Sequence, residues 1–165
     1  MDLDVEIETG WPGDTDWAEL AFRCGEAAAA VAPELAPARL SASVLLTGDD
    51  AVHALNREWR AKDKPTNVLS FPMLERAQLL SLAADGPEEM LGDLALALET
   101  CTREAAEKGV PLADHAAHLM VHGLLHLAGY DHETGEADAA AMEGLEIKAL
   151  ARMGLADPYD DRPGA

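Results

Sequence analysis

The sequence has few cysteines, few basic residues and no long apolar run, and each shortage excludes a class of protein. Its two cysteines, Cys24 and Cys101, lie far apart without metal or redox spacing. We therefore expect ordinary thiols in a reducing cytoplasm. No apolar run approaches the length of a membrane span. The first twenty residues are rich in acidic side chains, and we expect no secretory signal there.

Basic residues are outnumbered, since 31 acidic and 12 basic residues give a formal net charge of −19. A surface of that sign repels polyanions, which on its own argues against nucleic acid as a partner. A strip within eight positions nevertheless holds four of the basic residues: Arg57, Arg60, Lys62 and Lys64. Such a local positive strip can bind phosphates. A solvated loop is the open alternative.

Histidines, in contrast, are concentrated, with five of the six inside eighteen residues. Three of them, His122, His126 and His132, have the spacing H-x3-H-x5-H. Residues four apart share a helix face, and Gly129 can adopt the left-handed conformation that ends a helix and returns the chain. Three imidazoles from a helix and its following loop predict an open metal site, most often for zinc, with a fourth position for water or substrate.

Strand and helix patterns alternate along the chain. They predict strands at residues 3–7, 40–47, 67–71 and 90–98, a helix capped by Asp14 or Thr15 that runs to about residue 31, a short helix capped by Asp49 and Asp50, and helices at 99–108, after Pro111, and at 136–153. Residues 74–89 are predicted to be a variable connection. The order predicts one α+β domain over residues 1–155, a small mixed sheet packed with helices, and a loose tail at 156–165.

The histidine spacing is also that of the long-motif zinc peptidases, including the glycine at Gly129. Those enzymes place a glutamate, the general base, directly after the first histidine. Here that position is Gly123, and neither Leu124 nor Leu125 can take a proton in its place. The sequence therefore argues against a peptidase.

The eleven residues 122–132, HGLLHLAGYDH, resemble the signature H-G-x-L-H-L-x-G-Y-D-H of the YbeY family, the bacterial rRNA maturation factors. Three further segments are similar to family blocks: 55–72 (LNREWRAKDKPTNVLSFP), 91–93 (LGD) and 142–146 (MEGLE). The resemblance implies a compact zincin-like α+β domain with about four strands and a metal site on a central helix. It also implies one zinc per chain, bound by His122, His126 and His132.

The function that this resemblance implies is a single-strand-specific, zinc-dependent endoribonuclease of the cytoplasm. It would mature the 3′ end of 16S rRNA and act in ribosome quality control. The implied partners are rRNA or other single-stranded RNA and the small ribosomal subunit with its proteins, and neither a membrane nor DNA is expected.

Arg60 falls on a family arginine that lies by the metal. A guanidinium can bind two phosphoryl oxygens at once, which suits Arg60 to stabilising the transition state of phosphodiester cleavage. A structural ion pair is the alternative. His118, one turn before His122, and Asp131 are candidates to support the ligands. A buried hydrogen-bonded histidine and a turn-forming aspartate are equally open interpretations.

Two other functions stay open. One is a zinc hydrolase of another substrate with a general base elsewhere, such as Glu143. The other is a non-catalytic ribosome assembly factor in which zinc serves stability. The net charge of −19 slightly favours both, because free RNA would be poorly attracted. This difficulty is smaller if a basic ribosomal protein recruits the enzyme to its substrate.

Overall fold

The computed structural model describes residues 1–131 and 135–160, which form four strands and six α-helices. The strands are β1 (Asp2–Ile7), β2 (Leu40–Thr47), β3 (Val68–Pro72) and β4 (Glu89–Ala97). Their order in the sheet is β1-β2-β4-β3. β1, β2 and β4 run parallel, whereas β3 is antiparallel to β4 and forms an edge of the sheet.

The helices are α1 (Trp17–Val31), α2 (Asp49–Arg60), α3 (Arg76–Leu80), α4 (Leu98–Lys108), α5 (Leu112–Leu127) and α6 (Glu136–Arg152), and a 3-10 turn covers Pro33–Leu35. Together with the mixed sheet they confirm the predicted α+β fold class. No helix in the described part of the chain is long and apolar enough to cross a bilayer.

The main core lies between the sheet and three helices, α1, α5 and α6, which contact one another. α5 is the central helix: eleven of its sixteen residues are buried, among them His115 and His118. A helix that is apolar almost all round is stable only in such a position. Because successive strand residues point to opposite faces, Leu69 and Ala95 face the other side, where they meet Val52 of α2 in a smaller cluster.

Several local predictions were wrong. Asp16, and not Asp14 or Thr15, caps α1, since its Oδ1 accepts the Glu19 N–H at 3.1 Å. Neighbouring residues that are all capable of capping cannot be separated by type alone. The segment 74–89 contains α3, which a capping box at its start stabilises. Five residues are too few for a helical period to be recognised in the sequence.

The cap of α2 also differs from the prediction. Gly48 occupies the cap position, and Asp49 is already the first helical residue. The Asp49 carboxylate instead accepts the N–H of Thr100 at 3.0 Å, at the start of α4. The side chain that was expected to begin one helix therefore joins two helices.

Candidate functional site

α5 presents two histidines, His122 and His126, to one cleft. Their ring centroids are 6.4 Å apart and the ring planes are inclined by 54°. Both side chains are half-buried. The cleft has a volume of about 230 Å³ and lies between α5, the edge strand β3 and the loop that follows α2. The predicted shared helix face is therefore present in the structure.

Basic side chains from the end of α2 and the loop after it form one wall of this cleft. Arg60, Lys62 and Lys64 line it together with the two histidines. The fourth member of the predicted strip, Arg57, lies 3.7 Å from the Asp63 carboxylate in an exposed ion pair. The strip is thus divided, and three of its four cations line the cleft that the histidines also line.

Asn56 holds this basic loop in place. Its side chain is buried, and Nδ2 donates to the carbonyl oxygen of Lys64 at 2.8 Å. The main-chain carbonyl of Asn56 accepts the Lys62 N–H at 3.1 Å. α2 ends at Arg60, and the next residue, Ala61, has a positive φ of 57°. Left-handed backbone is uncommon outside glycine, and the contacts of Asn56 offset its cost here.

The β3 side of the cleft contains Thr66, Asn67 and Ser70. The amide of Asn67 donates to Glu104 Oε1 at 3.0 Å, and the same oxygen lies 2.8 Å from His115 Nε2. Burial lowers the pKa of His115 in spite of the carboxylate beside it, so the imidazole is neutral at physiological pH and donates to Glu104. His115 therefore supports the wall of the cleft from behind.

Glu146, on α6, lies directly behind His122, and the histidine spacing gave no indication of it. The residue is 1% exposed. Its Oε1 is 3.3 Å from His122 Nδ1, 2.8 Å from His118 Nε2 and 2.7 Å from the Tyr159 hydroxyl. Burial alone would raise the pKa of Glu146, but the hydrogen bonds from His118 and His122 outweigh it and lower this pKa to about 2. His118 and His122 therefore contact the same carboxylate oxygen of Glu146.

Tyr159 belongs to the segment for which the sequence predicts a loose tail. Its ring meets His118 edge-on, with centroids 5.3 Å apart. Burial, the hydrogen bond to Glu146 and then the charges of Glu146 and Glu143 raise the pKa of the Tyr159 hydroxyl far above its usual value, so it remains a donor. Glu143, the alternative general base, is half-buried on α6 in this neighbourhood.

The turn after α5 has the conformation that the sequence predicted. Gly129 has φ of +101°, which lets the chain reverse direction at the end of the helix. Asp131 borders a second cleft with His126 and Tyr130. His132, the third predicted ligand, lies outside the described residues.

The two cysteines, His53 and Asp93 do not line the cleft of His122 and His126. Burial raises the pKa of Cys24 and of Cys101 to about 12, as expected of unreactive thiols. His53, the one histidine outside the group of five, lies 2.7 Å from Asp63. Asp93 accepts a hydrogen bond from Ser43 on the neighbouring strand and borders a separate apolar groove.

The donor set suits a divalent transition metal. Zinc is commonly bound by histidine imidazoles. In such sites one ring nitrogen binds the metal, and the other nitrogen donates a hydrogen bond, often to a carboxylate. His122 has that arrangement with Glu146, and His126 lies beside it. Among residues 1–131 and 135–160, no cluster of three histidine, cysteine or acidic side chains completes a metal site. His122 and His126, the two predicted ligands within the described residues, are thus suited to binding zinc.

The protein is a small α+β domain in which the central helix α5 and a basic loop line one polar cleft. The family model described as "Endoribonuclease YbeY" matches residues 15–154. The chain is 64% identical over 158 residues to the Endoribonuclease YbeY of Novosphingobium aromaticivorans, covering 95% of each chain. It is 60% identical over 162 residues to that of Erythrobacter litoralis, covering 98% of this chain and 99% of the relative. This protein therefore belongs to the endoribonuclease YbeY family.

A solved structure supports the fold independently. The solution structure of TM1509 from Thermotoga maritima superposes with a TM-score of 0.56 and covers 99% of both chains. The two sequences are 22% identical, so this likeness concerns the fold alone.

Proposed function

We propose that the protein is a zinc-dependent endoribonuclease that cleaves single-stranded RNA. The observation that carries the proposal is the shared cleft of His122, His126 and the three cations Arg60, Lys62 and Lys64. A chain with a net charge of −19 concentrates positive charge at this point. Its curated relatives are named for the same activity.

The histidines would hold the metal. His122 and His126 supply two ligands from α5, and we assign the third to His132, after the turn at Gly129. Zinc bound at these histidines supplies Lewis-acid chemistry, which activates water and polarises phosphoryl oxygens.

The basic wall would hold the substrate. Arg60 binds two non-bridging oxygens of the scissile phosphate and stabilises the negative charge that grows there during cleavage. Lys62 and Lys64, fixed by Asn56, bind neighbouring phosphates as point charges. The basic residues of the cleft all lie in this wall, whereas the net charge of −19 makes the protein as a whole repel RNA.

We further propose that the enzyme acts in the cytoplasm on the 3′ end of 16S rRNA and in ribosome quality control. A strongly acidic chain attracts free RNA weakly, whereas basic proteins of the small ribosomal subunit would attract it. Recruitment by such a protein would bring the cleft to its substrate.

The test compares one labelled RNA sequence as a single strand, as a duplex and as the DNA equivalent. Cleavage is expected for the single-stranded RNA alone, it should stop with a chelator, and added zinc should restore it. Metal-independent cleavage would contradict the proposal, as would binding to the small subunit without any cleavage, which an assembly factor would show.

A further inference from the structure

Glu146 is a buried carboxylate with three partners that all meet one of its oxygens. His122 Nδ1, His118 Nε2 and the Tyr159 hydroxyl lie 3.3, 2.8 and 2.7 Å from Oε1. An ionised carboxylate only accepts hydrogen bonds. His118 Nε2 and the Tyr159 hydroxyl donate hydrogen bonds to this oxygen, and a hydrogen on His122 Nδ1 would face the same oxygen.

This arrangement favours one tautomer of His122. A neutral imidazole has its proton on one nitrogen and a lone pair on the other, and only the lone pair binds a metal. With the proton on Nδ1, the lone pair of the ring lies on Nε2, the nitrogen that would bind the proposed metal. We propose that Glu146 is a positioning residue that fixes the tautomer and the ring orientation of His122. This inference rests on the proposed metal site.

Tyr159 and His118 have a supporting part in the same arrangement. A buried carboxylate with a single partner would be costly, because its charge would be poorly compensated. The Tyr159 hydroxyl and the His118 imidazole supply two further donors, and their rings pack edge-on against each other. The segment after α6 thus supports a ligand on α5 through Glu146.

The first experiment changes the carboxylate while keeping its shape. In Glu146→Gln, the side-chain amide can turn its NH2 group toward His122 Nδ1 and favour the tautomer with the proton on Nε2. Loss of a carboxylate behind a metal ligand lowers metal affinity by roughly 10–100-fold. Competition with a chromophoric chelator measures this loss for zinc. Tyr159→Phe removes one of the three donors and should give a smaller loss in the same assay.

The chain offers a matched control in Glu104 on α4, which contacts a second buried histidine of α5. Glu104 contacts His115 at 2.8 Å, the same distance that joins Glu146 and His118. Glu104→Gln should lower the melting temperature and leave zinc affinity unchanged. A purely structural role for Glu146 would make the two Glu→Gln variants behave alike.

The second readout needs no zinc, and the wild-type protein alone can decide it. Long-range proton–nitrogen NMR spectra of the metal-free wild-type protein, at a pH where His122 is neutral, report which nitrogen carries its proton. We expect Nδ1 in the wild type and a shift toward Nε2 in Glu146→Gln. His122 protonated on Nε2 in the wild type would overturn the inference, as would unchanged zinc affinity in a folded Glu146→Gln protein.

The experiments distinguish failure of the proposed zinc-dependent function from failure of the role proposed for Glu146. A wild-type protein that binds no zinc contradicts the proposed function, whereas the tautomer of His122 is measured without metal. If Glu146→Gln does not fold, the wild-type spectrum decides the inference by itself.

Discussion

The guanidinium of Arg76 lies over the ring of Tyr130, with its central carbon 4.5 Å from the ring centroid. The same guanidinium donates to the carbonyl oxygen of Ala128 at 2.7 Å and lies 3.0 Å from a carboxylate oxygen of Glu34. That oxygen also accepts the Tyr130 hydroxyl at 2.7 Å. These contacts close around Gly129, so α3 and the 3-10 turn together hold the turn by which the chain leaves α5.

Removing this guanidinium should loosen the turn. Arg76→Ala is expected to lower the free energy of unfolding by about 1–3 kcal/mol, because it removes charge-assisted hydrogen bonds. Arg76→Lys should retain only part of the stability that Arg76→Ala loses, since a lysine ammonium lacks the planar guanidinium. Urea unfolding measures both. Arg103→Ala is the control, because Arg103 makes only an exposed pair with Glu107 on α4, and its effect should stay below about 0.5 kcal/mol. Equal effects at the two arginines would contradict the account.

Gly123 occupies the position at which zinc peptidases have their general base. Its lack of a side chain is also required for the packing of α5 against β4. A Cβ at this position would lie 2.6 Å from Leu94 Cδ2 on β4. Gly123→Ala should therefore cost about 1–3 kcal/mol of stability through overpacking. Gly123→Glu should be less stable still and should not acquire proteolytic activity.

Thermal unfolding and a peptide-cleavage assay check both variants. Gly144→Ala on α6 is a control of opposite sign, because nothing lies within 4 Å of its added Cβ and alanine favours a helix. Chelator-sensitive peptide cleavage by the wild type would show that the peptidase interpretation was excluded wrongly.

Arg60 is exposed at the cleft wall, and we expect it to act on RNA phosphate without contributing to zinc binding. Arg60→Glu should reduce RNA cleavage on the order of a hundredfold or more, because it reverses the charge beside the developing negative charge. Arg60→Lys should be impaired less, since it keeps the charge and loses the bidentate fork. Zinc content and melting temperature should stay near wild type.

The control for this prediction is Arg103→Glu, which changes the net charge equally on the exposed surface of α4. Its cleavage rate should remain close to that of the wild type. Full activity in Arg60→Glu would make the arginine an ordinary surface residue, and loss of zinc or of folding would make it structural.

Sequence patterns predicted the local features of the site well. The pairing of His122 with His126 depends only on the period of a helix, and the left-handed Gly129 depends only on the properties of glycine. The bounds of β2, Leu40–Thr47, agree with the prediction because its apolar run is bordered by turn residues. Each of these features is determined within a few residues.

Long-range contacts could not be predicted in the same way. Glu146 meets His118 across 28 residues, and Tyr159 meets it across 41. Nothing in local periodicity indicates which of 31 acidic side chains a helix will bury. Arg76 belongs to a segment without a recognisable period, so its contact with Glu34 follows only from the packed fold.

The zinc content of His126→Ala, measured beside the wild type together with cleavage of single-stranded RNA, tests the central claim most directly. We predict one zinc per wild-type chain, and loss of both zinc and cleavage in the variant, because His126 is the middle of the three proposed ligands. The melting temperature of both proteins in the presence of chelator shows whether the metal-free fold is intact. Undiminished zinc in His126→Ala, or cleavage that persists without metal, would contradict the account.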